Sequence, residues 1–232
     1  VLNLLPKNGR IAEGEITYFD EDKPIELQKL KQYGKEFRKL RGEKISMIFQ
    51  DPMSALNPVY TIGNQITEVL FEHYDISKEE ANKRAIEMLE KLGIHNAKER
   101  MNDYPHQFSG GQRQRIVIAI AMVCNPDILI ADEPTTALDV TIQAQILDLL
   151  DDLRKEHGTS IILITHDLGV IAQIADEVAV MYAGEIVEVG TVAQIFDEPK
   201  HPYTRSLLKS IPNPENMDKK LHVIQGLSLI HI

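Results

Sequence analysis

The 232-residue sequence predicts an α/β fold: a mostly parallel sheet with an inserted helical subdomain. Three observations predict it. Strand-length apolar runs at 44–49, 127–131 and 160–164 stand between helical patterns, the order that builds a parallel sheet covered by helices. From about 61 to 122 every periodic stretch is helical, which interrupts that alternation. The run Ile128-Leu129-Ile130-Ala131 ends on adjacent carboxylates, Asp132 and Glu133, and the C-terminal edge of a parallel strand is where ligands bind in such sheets.

Taken in order, residues 14–19 read as a strand and 26–39 as a charged, irregularly amphipathic helix. The run 44–49 is a second strand, mostly buried in pattern, that ends at Gln50. Asp51-Pro52 and Asn57-Pro58 then break the chain. Ser77 and Glu80 have capping-box spacing, Ala81, Ala85, Leu89 and Leu92 recur at helical spacing, and Gly93 supplies the stop. A helix over 112–123 is almost wholly apolar after Arg115, the composition of a helix buried on most sides. The strand at 127–131 leads to a helix over 141–156, with Ile142, Ile146, Leu149, Leu150 and Leu153 on one face and Gly158 at its end. A strand at 160–164, a helix at 168–175 and a hairpin of 177–182 with 185–189 follow. Pro202 opens a short amphipathic tail helix. The chain carries no internal repeat and no low-complexity segment.

A chain of this length buries a sizeable core. The formal net charge of −10 argues against nucleic-acid binding, which needs clustered basic charge. Cys124 stands alone, so neither an internal disulfide nor a C-x-x-C metal site is available, as suits a reducing cytosol. No apolar run approaches the roughly 18–20 residues that span a bilayer. The first residues also lack a signal peptide's length and small-residue cleavage site. Any membrane role then runs through a partner.

Two features carry chemistry. Ser109-Gly110-Gly111 opening a helix is an anion seat, because bare N–H groups and the helix dipole point outward there. The same three residues are equally an ordinary helix start. Asp132 and Glu133, delivered by a buried strand and followed by the sharp Pro134-Thr135-Thr136 turn, are the arrangement for holding Mg²⁺ and activating a water beside a phosphate. Its plainer alternative is a solvated acidic pair. His166 follows the strand at 160–164, where a lone histidine is more often structural than catalytic. Asp139 precedes the next helix and suits an N-cap.

The run 108–115 and the strand ending at Asp132-Glu133 together resemble the signature motif and Walker B strand of the ATP-binding cassette (ABC) ATPases. The resemblance covers nearly the whole chain and implies a P-loop NTPase-like (ABC ATPase) core. It implies ATP and Mg²⁺ as ligands, with Asp132 on Mg²⁺ through water and Glu133 as general base, a role that contributes about 10²–10⁴-fold in rate. Gln50 resembles the Q-loop glutamine, which coordinates Mg²⁺ or water and transmits the nucleotide state. Ser109, Gly110, Gly111 and Gln112 would hold the γ-phosphate bound in the other subunit of a head-to-tail dimer. His166 matches the switch histidine that touches the γ-phosphate, and Ala137-Leu138-Asp139 resembles the D-loop at the dimer interface. Phe108 replaces a more usual leucine, a change of apolar anchor and not of chemistry. The implied organisation is a partial core over 1–58, a helical signature subdomain over 59–123, a core segment over 124–195 and a C-terminal extension over 196–232.

The chain also departs from that pattern. No G-x-x-x-x-G-K-[ST] phosphate loop occurs in it. The resemblance places that loop upstream of a stretch like 1–10, so an N-terminally truncated core is expected, weak or inactive alone. The abruptly apolar 225–232 reads as an unnatural or truncated end.

Narrower stretches, 50–58, 104–111 and the tail 201–208, resemble the oligopeptide/dipeptide importer branch. They imply an ATPase subunit that drives peptide uptake, peripheral on the cytoplasmic face of the plasma (inner) membrane. Its partners would be integral-membrane permease subunits, a homologous ATPase subunit and, indirectly, an extracytoplasmic solute-binding protein. Three other readings stay open: an ATPase serving nickel or another small solute, one working in DNA repair or on the ribosome, and a degenerate, non-hydrolysing dimer partner.

Overall fold

The computed structural model describes residues 1–210 except 7, 21, 22 and 137. The apolar stretch 225–232 and Ala137 lie outside the described residues. The chain divides into two compact units, one over Val1–Ile164 and one from Thr165 on.

The first unit opens with an antiparallel hairpin, β1 (Thr17–Asp20) and β2 (Lys23–Glu26). The expected helix over 26–39 is therefore shorter and later: α1 runs Lys35–Glu43, after a 3-10 turn at Leu27–Lys29. The reason lies at Ile16. Its carbonyl accepts from the Leu27 amide at 2.8 Å, and its amide donates to Gln28 Oε1 at 2.9 Å. This pairing, with Leu27 buried beneath it, pulls 27–28 towards the hairpin and outweighs the weak helical periodicity. Gln32 and Arg41 side chains donate to carbonyls of Leu2, Asn3 and Leu5, which ties down the first residues.

Next come β3 (Ile45–Ile48), the single turn α2 (Pro52–Ala55), and three further helices, α3 (Ile62–His73), α4 (Lys78–Lys91) and α5 (Ala97–Arg100). Ser77 caps α4 by accepting from the Glu80 amide, while the Glu80 carboxylate turns to Arg84 at 2.8 Å instead of closing the reciprocal half of a capping box. Gly93 stops the helix at φ +72°, a conformation glycine adopts without penalty. A 3-10 turn at Pro105–Gln107 then leads into α6 (Gly110–Met122), which starts two residues earlier than its apolar pattern predicts because Ser109 caps it.

The sheet is completed by β4 (Ile128–Asp132), α7 (Val140–His157) and β5 (Ser160–Ile164). It is parallel, in the order β3-β4-β5, with Ile48 opposite Ala131 and Asp132 opposite Ile164. The main core packs α3, α4, α6 and α7 onto this sheet through Ile66, Leu70, Leu89, Ile116, Leu129 and Leu150, all fully buried. Each such side chain contributes about 1.5–3 kcal/mol of burial. A second cluster joins Tyr18, Leu27, Phe37, Leu40, Ile45 and Ile130 under the hairpin.

The second unit contains α8 (Leu168–Ile174), the antiparallel pair β6 (Glu177–Tyr182) and β7 (Glu185–Thr191), α9 (Val192–Asp197) and α10 (Pro202–Lys209). Val178, Val180 and Ile195 form its core. The Glu188 carboxylate accepts from the Lys200 and His201 amides, 2.7 and 3.0 Å, and so anchors the start of α10. Among the described residues no helix is long and apolar enough to cross a membrane.

Candidate functional site

Glu133 is the residue around which the site is built. It follows the last residue of β4, and its amide donates to the Ile164 carbonyl at 2.8 Å, so the pairing with β5 persists one residue past the strand. Pro134 comes next, which disfavours right-handed helical backbone at Glu133. The chain turns instead through a left-handed conformation, φ +47°, closed by the Thr136 amide on the Glu133 carbonyl at 3.1 Å. A non-glycine residue held there costs about 1–2 kcal/mol, and such strain gathers at functional turns.

Two side chains fix the carboxylate. Gln50 Nε2 donates to Glu133 Oε2 at 2.9 Å, and Thr136 Oγ1 donates to the same oxygen at 2.8 Å. Gln50 arrives from the end of β3, the neighbour of β4. Asp132, half-buried, sits at the end of β4 opposite Ile164. Thus Gln50, Asp132 and Glu133 come together at the C-terminal edge of the parallel sheet, as their positions predict.

Ser109, Gly110, Gly111, Gln112 and Asp139 form a second group. They line one cleft of about 550 Å³, together with Gly93, His95, Arg115 and Gln145. Here the helix-start reading holds in the backbone. Ser109 Oγ accepts from the Gln112 amide and Gln112 Oε1 accepts from the Ser109 amide, a reciprocal cap. The first-turn amides of Gly110 and Gly111 have no intrahelical acceptor. A Cβ on Gly110 would meet nothing within 4 Å, whereas one on Gly111 would lie 2.9 Å from Ile142 Cγ2. Gly110 therefore leaves room above the helix end, and Gly111 lets α6 pack against α7. Asp139 caps α7 by accepting from the Ile142 amide at 2.9 Å.

His166 belongs to the second unit, where it is exposed and precedes Asp167, the N-cap of α8. Three contributors escaped the sequence reading. Thr136 carries a hydroxyl to Glu133. Gln114, buried in α6, donates from Nε2 to the Pro134 carbonyl at 2.5 Å. Arg115 reaches the Leu92 carbonyl at 2.7 Å and Gln145 at 2.9 Å, holding α4 and α7 to the cleft. Only Thr136 had a local signal, as a hydroxyl three residues past a carboxylate in a proline turn.

The geometry is that of a carboxylate fixed beside a sheet edge, with a separate glycine-opened helix start nearby in sequence. Comparison with known proteins decides its kinship. A model of the ABC transporter family matches residues 1–136. The chain belongs to the ABC transporter family. The C-terminal region of the oligopeptide/dipeptide transporter matches residues 187–230, a span that includes the importer-like tail at 201–208. Oligopeptide transport ATP-binding protein OppD of Bacillus subtilis (strain 168) is 56% identical over 228 residues, 97% of this chain and 62% of the relative. Dipeptide transport ATP-binding protein DppD of the same organism is 53% identical over 227 residues, 97% of this chain and 66% of the relative. The chain thus spans a little under two thirds of these relatives' length. A solved dimer of the ATP-binding cassette MJ0796 in a post-hydrolysis state, bound to ADP and Pi, aligns at 32% identity with a TM-score of 0.67, covering 79% of this chain and 75% of that one. The ABC ATPase fold expected from the motifs is therefore the fold of this chain.

Proposed function

We propose that this chain is the nucleotide-handling portion of an ABC importer ATPase that couples ATP hydrolysis to uptake of oligopeptides or dipeptides. One observation carries the reading: Gln50 and Thr136 both donate to the Glu133 carboxylate at the C-terminal end of β4. A carboxylate fixed by two donors and delivered by a rigid strand suits a general base for a water attacking a γ-phosphate. In this reading Ser109, Gly110, Gly111 and Gln112, with Asp139 beside them, receive the γ-phosphate held by a partner ATPase subunit in a head-to-tail dimer. His166 is the further γ-phosphate contact.

The residues also suit Mg²⁺. That ion takes hard oxygen donors and is held by one or two carboxylates together with substrate phosphates. Asp132 and Gln50 supply a carboxylate and an amide oxygen at one sheet edge. Among the described residues no group of three or more His, Cys, Asp or Glu is gathered that could hold a metal ion. When bound, the ion neutralises charge developing on the phosphate.

The permease would dock on the helical stretch. A cleft of about 780 Å³ opens there, lined by Asn57, Tyr60, Asn64, Gln65, Phe71 and Ile120 among others. Tyr60 and Phe71, which both line it, are 54% and 46% exposed, apolar surface that a docked partner would cover. Docking there seats the chain peripherally on the cytoplasmic face of the membrane, with a solute-binding protein acting on the far side. Peptide as the cargo rests on the names of the relatives and on the tail.

The test is reconstitution. The assembled transporter, with these residues in a complete chain that carries a phosphate loop, is placed in vesicles and ATP-driven uptake of labelled dipeptides, oligopeptides and nickel is compared. Peptide uptake is expected. Nickel uptake in its place overturns the cargo, and absence of ATP turnover makes the chain a silent dimer partner. Alanine at Tyr60 and Phe71 should weaken permease association while leaving the fold intact.

A further inference from the structure

We propose that Gln114 is a positioning residue for Glu133, tying the helix that begins at Ser109 to the turn that presents the base. The proposal rests on the reading of Glu133 as that base. Gln114 is the one polar side chain among the buried residues of α6, whose other buried members are Ile116, Val117, Ile118, Ala119, Ala121 and Met122. It is 2% exposed. An amide in such surroundings is costly unless bonded, and the bond it makes leaves the helix altogether.

Its Nε2–H donates to the Pro134 carbonyl at 2.5 Å, twenty positions along the chain. Pro134 is the residue immediately after Glu133, and it has no amide hydrogen with which to fix itself. The turn is held by the Glu133 amide on Ile164, by the Thr136 amide on Glu133 and by Gln114 on Pro134, the last of these reaching it from a helix. Glu133 keeps its left-handed backbone, φ +47°, because its surroundings over-determine it, and Gln114 is part of those surroundings.

The placement along α6 gives the bond its meaning. Ser109, Gly110 and Gly111 begin the helix, and Gln114 lies about one turn further on. A shift of the phosphate seat therefore moves the donor that fixes the base's turn. Gln114 is buried in α6 and is assigned no contact with the nucleotide. It acts through Pro134.

The experiment uses the assembled transporter with a complete chain carrying the phosphate loop. Gln114→Met keeps the side chain's length but removes the donor, and Gln114→Leu removes it with a branched apolar side chain of similar size. Each should lower kcat about 10- to 100-fold, the scale on which small misplacements act. KM for MgATP should change less than about threefold, melting temperature should fall by no more than about 10 °C, and assembly should be retained. In a Glu133→Gln background, Gln114→Met should leave the residual turnover unchanged, since no carboxylate remains to be placed. An equal loss in both backgrounds, or a raised KM at unchanged kcat, overturns the proposal in favour of plain packing. If Glu133→Gln alone keeps turnover, the base reading falls and takes the proposal with it, a result visible before Gln114 is altered. Should Gln114→Met fail to assemble, Gln114→Leu reads the same quantities.

Discussion

The side-chain amide of Gln50 and the carboxylate of Glu133 meet at 2.9 Å although 83 positions separate them. The parallel pairing of β3 with β4 brings this about: Ile48 lies opposite Ala131, so both strands deliver their next residues to one edge. A hydrogen bond to a charged group is worth about 1.5–3 kcal/mol, and exposure places this one at the low end. Gln50→Leu and Thr136→Val, in the complete transporter, should each lower ATP turnover about tenfold, since about 1.4 kcal/mol is a factor of ten. For Thr136→Val nucleotide affinity should stay within about threefold, whereas Gln50→Leu also removes the proposed Mg²⁺ ligand and should weaken MgATP binding as well. Equal losses in affinity and turnover for Thr136→Val would remove Thr136 from orienting Glu133.

Gly111 and Gly110 should part company on substitution. A Cβ at Gly111 would stand 2.9 Å from Ile142 Cγ2, a branch methyl that cannot swing away, while Gly110 faces open space. Overpacking of this kind costs about 1–3 kcal/mol, or about 3–10 °C in melting temperature for a chain of this size. Thermal denaturation should show that drop for Gly111→Ala and none for Gly110→Ala. Identical curves would remove the α6–α7 packing role from Gly111.

The sequence made some of this site legible and hid the rest for physical reasons. A strand of four apolar residues ending in Asp132-Glu133 announces itself, because period and chemistry are both local. Ser109, Asp139 and Gly158 likewise mark helix ends within a few residues of themselves. Gln114 left no such mark, since its partner Pro134 is set by how α6 crosses the sheet. The segment 26–39 misled for the same reason: Ile16 pairs with Leu27 and Gln28 across the hairpin, and tertiary pairing outweighed a weak helical pattern. Glu80 had two partners within reach, and Arg84 won over the Ser77 amide.

Cys124 should be chemically quiet. Burial pushes its thiol up to about 11, and only 6% of the residue is exposed. The thiolate is the reactive form, so at pH 8 both its scarcity and its burial slow attack. Labelling with a disulfide reagent at pH 8 should proceed at the rate of unfolding and become fast in denaturant. Rapid stoichiometric labelling of the native chain would contradict the packing of the segment after α6 against Tyr74, whose hydroxyl donates to the Cys124 carbonyl at 3.2 Å.

The 232-residue chain contains no G-x-x-x-x-G-K-[ST] sequence, and in this family's chemistry that loop's amides and lysine cradle the phosphates. MgATP titrated into this chain alone should give no micromolar Kd by calorimetry. A micromolar Kd would show that the residues at the sheet edge and α6 suffice for binding without a phosphate loop.

The most direct test of the whole account is Glu133→Gln in the complete, assembled transporter, with nucleotide binding and ATP turnover measured side by side. If Glu133 is the base fixed by Gln50 and Thr136, binding persists while turnover falls by about 10²-fold or more. Turnover retained near the unaltered rate would contradict the role assigned to Glu133 and, with it, the site built around it.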